Sequence, residues 1–239
     1  MSSPLEEGSI EMAKPRFWRT SHQYQMSVSR FCSQNGLQSP AIATVIFSQK
    51  GFEQAHPKYA KQFRSIPALS IGLVTPARPI LGRFASKPVG LIAFEEEIEN
   101  VFDPMEREFV LAHEYSHIVK NHCPIKLLGR AASNFVEDYI SDMDDSPTRM
   151  ILQIAWQYGS ILASAGFTKD SEIEADIHAM QLIGSKSIAL TTVETLAHEF
   201  AGGDLTKPTH FILRGKQRIP VLSYQERLDA LRNCPSLAI

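Results

Sequence analysis

The chain has 239 residues, 44% hydrophobic and 21% charged, and its 24 basic and 26 acidic side chains leave a formal charge of −2. At roughly 150 residues per domain this is one domain or a domain with an appendage, and the composition excludes a disordered or fibrous chain. The balanced charge leaves no basic footprint, so nucleic acid is not expected as a partner.

The N-terminal run Met1–Glu7 is acidic and has no apolar core, so it does not read as a secretory signal. Three widely spaced cysteines, Cys32, Cys123 and Cys234, argue against a disulfide framework and for a reducing compartment. Gln153, Gln157, Gly159 and Ser160 interrupt the most apolar stretch, Met150–Ala165, which falls short of the ~20 residues a bilayer span needs. A soluble, cytoplasmic protein without a membrane span is expected.

Residues 1–40 are rich in Ser and Gln with scattered aromatics, and read as a loosely packed arm with one short helix and a regulatory role left open. Residues 41–239 form the main domain. Within it Ala41–Phe47, Leu69–Val74 and Val89–Phe94 are predicted strands, with turn signals at Gly72, Pro76, Pro79, Gly82 and Pro88. From Asp103 the pattern is helical nearly to the end. The expected class is α+β, a small N-terminal sheet followed by a mainly helical body.

Asp103-Pro104-Met105-Glu106 predicts a helix start, with Asp103 as cap, Pro104 at the first helical position and Glu106 completing a capping box. The helix should run to about Asn121, before Pro124. It contains His113-Glu114-Tyr115-Ser116-His117, an H-E-x-x-H run with apolar flanks. Residues four apart share a helix face, so His113 and His117 can converge on one ion. Neutral imidazole suits zinc, and a catalytic zinc keeps one position open for water. Glu114 is placed to accept a proton from that water.

A third ligand is required. Ser171-Glu172-Ile173-Glu174-Ala175-Asp176 opens a second predicted helix that stops at Gly184. Glu172 and Asp176 share a face, so Glu172 is expected to complete the ligand set while Asp176 accepts the free ring N–H of a ligand histidine. Glu174, with His178 four residues on, is the rival ligand. Ser171 and Glu174 also spell a capping box, which gives Glu174 a structural role instead.

H-E-x-x-H followed by E-x-x-x-D resembles the gluzincin metallopeptidases, and most closely the HtpX-like and CAAX prenyl protease family. Phe109–Glu114 is similar to that family's V-L-A-H-E, and His122 stands where its members often carry another histidine. The 54 residues from Ile118 to Ser171 suit its helical insert. Pro220, Glu226-Arg227-Leu228 and Leu231-Arg232 resemble its C-terminal P…E-R-[IL]…L motif. The likeness covers roughly residues 66–232. Members are typically membrane-embedded or lipid-anchored, and this chain shows neither feature. They usually carry His before the C-terminal Pro; here Ile219 stands there, so no such histidine is carried over.

The resemblance implies a zinc metalloendopeptidase acting on protein or peptide substrates, with a regulatory protein partner left open. His113, His117 and Glu172 would bind Zn2+, Glu114 would be the general base, and Asp176 would orient a ligand histidine. It also implies a substrate-binding edge strand ahead of the active-site helix, in the position of Val89–Phe94. Tyr224 and His210 are weak candidates for stabilising the oxyanion. Two other readings stay open: a protease effector of the phage-exclusion or ImmA type, and a non-catalytic zinc module whose fourth position is closed by His122 or Cys123.

Overall fold

The computed structural model describes residues 18–37, 41–55, 57, 68–75, 87–122, 139–141, 149, 169–209, 211–214, 217–220 and 222–235. Four strands make one mixed sheet: β1 (Trp18–Thr20), β2 (Ala41–Phe47), β3 (Ala68–Thr75) and β4 (Lys87–Glu95), in the order β1-β2-β4-β3. β4 runs parallel to β2 and antiparallel to β3, with Val45 opposite Ala93 on one side and Ser70 opposite Ile92 on the other.

That order moves the expected edge strand. Val89–Phe94 lies in β4, which is hydrogen-bonded on both sides, and Leu91, Ile92, Ala93 and Phe94 are all buried. A continuous apolar run belongs to a strand covered on both faces, and here it marks the interior of the sheet. Among the described residues, the edge beside β4 is β3.

The helices with defined bounds among the described residues are α1 (His22–Gln34), α2 (Gln49–Ala55), α3 (Ile98–Val101), α4 (Pro104–Val119), α5 (Lys169–Ile183), α6 (Lys186–Ala201) and α7 (Tyr224–Asn233). A hairpin of β5 (Phe211–Arg214) and β6 (Gln217–Pro220) separates α6 from α7, where the sequence pattern had read as helix. The mixed α+β class holds. The expected helical insert between Ile118 and Ser171 lies largely outside the described residues, as do Cys123 and His210.

The main core joins the sheet to α1, α4, α5, α6 and α7. Ile42 and Ile46 of β2, with Ile92 and Phe94 of β4, meet Val28 and Phe31 of α1 and Phe109, Leu111, Ala112 and Tyr115 of α4. Residues 18–37 are therefore not a loose arm. β1 pairs with β2, and α1 buries Tyr24, Val28, Phe31 and Cys32. The Ser- and Gln-rich composition hid an amphipathic helix whose apolar residues fall at i, i+4, i+7 and i+8. Residues 1–17 lie outside the described residues.

α4 begins as its sequence demands. Asp103 Oδ1 accepts from the backbone N–H groups of Met105 and Glu106, at 2.7 and 2.9 Å, while Glu106 Oε2 accepts from Asp103 N at 3.0 Å. The other oxygen of buried Glu106 accepts from Thr195 Oγ1 on α6 at 2.9 Å, which ties the helix start to a neighbour. α4 lies along β3 more extensively than along β4, and packs against α5 on its other side. Among the described residues, no helix is long and apolar enough to cross a membrane.

Candidate metal centre

α4 and α5 meet at a cluster of buried polar side chains. His113 and His117, one turn apart on α4, bring their Nε2 atoms to 3.0 Å of each other. Glu172, in the first turns of α5, sets Oε1 3.2 Å from His117 Nε2 and Oε2 3.6 Å from His113 Nε2. One ligand atom from each residue falls within a 4.8 Å cluster, and Glu172 is only 1% exposed.

This donor set fits a tetrahedral zinc. Bonds of ~2.0–2.1 Å at tetrahedral angles place ligand atoms about 3.3 Å apart, close to the separations observed. The chemistry agrees, since two imidazoles and one carboxylate are a zinc set that leaves a fourth position open. Three metal-ligating atoms this close together could hold a divalent cation.

The outer nitrogens of the two rings are held differently. His113 Nδ1 donates to Asp176 Oδ1 at 2.8 Å. Asp176 lies one turn after Glu172 on α5, is fully buried, and is gripped by Arg227 of α7. Arg227 Nε donates to Oδ2 at 2.7 Å and Nη2 to Oδ1 at 2.6 Å. Burial alone would raise the Asp176 pKa, but the Arg227 charge and the His113 hydrogen bond bring it below the usual carboxylate range. Burial likewise works to lower the His113 pKa, and is overcome by the hydrogen bond and charge of Asp176 and by Glu172, so the net shift is upward.

His117 turns its Nδ1 toward His122 Nδ1, 3.1 Å away. His122 Nε2 lies 3.3 Å from Glu174 Oε2, and Lys120 Nζ is 2.9 Å from Glu174 Oε1. The His122 pKa is lowered, first by burial and then by the neighbouring His117, against the pull of Glu174. His122 thus sits on the outer side of His117, away from the converging Nε2 atoms, and does not occupy a fourth position. Cys123 lies outside the described residues.

The structure brings His113, His117, Glu172 and Asp176 together, with Glu114 next to His113 on α4 and partly buried. Glu174 stands apart from the cluster, on the exposed side of α5. It does not cap that helix, because Lys169 and Asp170 are already helical and Ser171 is buried within it. Nor is His178 a hydrogen-bond partner of Glu174: His178 Nδ1 lies 2.9 Å from Ser116 Oγ, and its Nε2 lies 3.1 Å from Asn35 Oδ1. Tyr224 packs in the main core. Glu96 and Glu97 are exposed in a turn after β4, and Glu99 pairs with Arg19.

Sequence reasoning gave Arg227 no role. Its only signal was its place in Glu226-Arg227-Leu228, near the chain's end.

The family model of peptidase family M48 matches residues 77–225, more than half of the chain. No curated protein and no solved structure matches the chain significantly.

Proposed function

The chain belongs to peptidase family M48, and from that premise we propose that it is a zinc-dependent endopeptidase in which His113, His117 and Glu172 hold the metal and Glu114 is the general base. The observation that carries this reading is the gathering of three donor atoms, from buried side chains of α4 and α5, within 4.8 Å of one another. When bound, zinc polarises the scissile carbonyl as a Lewis acid and lowers the pKa of water toward ~7.

The chain's own groups supply the rest. Glu114 follows the first histidine directly, so its carboxylate takes a proton from the attacking water and returns it to the leaving amine. Asp176 holds the proton of His113 on Nδ1, which keeps the Nε2 lone pair turned toward the metal position. Arg227 keeps Asp176 ionised and fixed, through two hydrogen bonds that a single rotation would break. β3, at the edge of the sheet and beside α4, offers its outer backbone groups to an extended substrate, which would add as a fifth strand. The substrate is a protein or peptide. Cys32 and Cys234 are free thiols, which suits the cytoplasm.

Zinc-loaded protein incubated with a library of internally quenched peptides tests this reading. Hydrolysis that stops with a chelator and returns with added zinc is expected. A protein that binds one zinc and cleaves no peptide would instead be a zinc-containing binding module.

A further inference from the structure

We propose that His122 is a positioning residue of the metal centre, which fixes the tautomer and ring plane of His117 and is delivered there by the way α4 ends. This rests on the reading of His117 as a ligand, and it adds a residue to which that reading gives no part.

The helix end does the placing. Asn121 takes a left-handed conformation, φ 56°, directly after the C-cap residue Lys120. Asn121 N–H donates to Ile118 O at 3.1 Å, and His122 N–H reaches back to His117 O at 2.9 Å. These paired bonds are the Schellman arrangement, which folds the residue after the left-handed position over the one five earlier. The two side chains that meet in this motif are usually apolar. Here both are histidines, with ring centroids 5.2 Å apart and planes inclined at 68°.

Hydrogen-bond directions then follow one from the next. His117 Nε2 faces His113 Nε2 and Glu172 Oε1, so a ligand His117 keeps its lone pair there and its proton on Nδ1. That proton points at His122 Nδ1, which accepts it. His122 must then carry its own proton on Nε2, aimed at Glu174 Oε2. The other oxygen of Glu174 is paired with Lys120. Donors and acceptors alternate without conflict from the metal position to the surface.

The two ligand histidines are thus supported by different chemistry. His113 leans on a buried carboxylate neutralised by Arg227. His117 leans on a neutral imidazole, so its support adds no further buried anion to Glu172 and Asp176; the carboxylate at the outer end of this relay, Glu174, is about half exposed.

A structural role, simple filling of the helix-end contact, is separable from this one. His122→Phe keeps an apolar ring over His117 and removes the acceptor, whereas His122→Gln restores an acceptor through its amide oxygen. His122→Ala demands no new packing. Zinc affinity is measured on the full chain by competition with a chelator, and the thermal midpoint on the zinc-free protein. Losing a group that orients a metal ligand costs roughly 10–100-fold in affinity. That loss is expected in the Phe and Ala variants, with recovery in Gln and with the zinc-free midpoint of Phe near that of wild type. Wild-type zinc affinity in His122→Phe or His122→Ala would overturn the proposal, as would a folded His122→Gln that binds no better than Ala. A wild-type chain that binds no zinc would overturn the metal-centre reading itself.

Discussion

Arg227 and Asp176 form a fully buried, two-bond ion pair, with Nε to Oδ2 at 2.7 Å and Nη2 to Oδ1 at 2.6 Å. The same Oδ1 accepts from His113, so helix α7 reaches the candidate metal centre through one carboxylate. Burial would lower the Arg227 pKa, but the Asp176 charge and hydrogen bond raise it further, so the guanidinium stays charged.

Removing one partner of such a pair strands the other. Arg227→Met should destabilise the protein by about 3–5 kcal/mol, the usual cost of an uncompensated buried charge. Denaturant unfolding measures it. Arg227→Lys should recover only part of the loss, because an ammonium cannot reproduce the planar fork. Adding Asp176→Asn to Arg227→Met should cost less than the two single changes summed. Full additivity would mean that the two side chains do not act as a unit.

Glu114→Gln keeps the size of the side chain and removes its basicity. Turnover should fall roughly 10²–10⁴-fold with bound metal unchanged. An active Gln variant would remove Glu114 from the role of base.

The two carboxylates on α5 should separate in metal analysis. Glu172 faces both histidine Nε2 atoms, whereas Glu174 pairs with Lys120 and His122 outside the cluster. Glu172→Ala should lose metal, and Glu174→Ala should retain one ion per chain with only weakened affinity. The reverse order would transfer the ligand role to Glu174.

His178 carries a pH-dependent share of stability. Its pKa is lowered to about 4, by burial first and then by the Lys120 charge, with Glu174 opposing and His122 assisting. Above the unfolded value of ~6.5 neither state is protonated. Between there and about 4 the unfolded chain binds a proton that the folded chain refuses, so stability falls as pH falls. The thermal midpoint should therefore drop less steeply over this window in His178→Gln than in wild type. Parallel curves would show that His178 titrates alike in both states.

What could be read from the sequence was local. The Asp103 capping box, the H-E-x-x-H face and the three main strands all follow from neighbours a few residues apart, and each formed where its pattern placed it. That Glu172 and Asp176 share a helix face was legible because one turn separates them. Strand order was not, because whether Val89–Phe94 is an edge depends on where Ala68–Thr75 docks. α5 starts before Ser171 for a related reason: a buried serine inside a helix looks like a cap when only its sequence is visible. Arg227 acquires its partner 51 positions away only once α7 packs on α5.

The most direct measurement compares new protein N-termini, by mass spectrometry, in a lysate treated with zinc-loaded wild type or with Glu114→Gln. A set of N-termini that appears with the wild type alone, and vanishes when the metal is chelated, is the expected result. Identical sets from the two proteins would contradict peptide-bond hydrolysis at this centre.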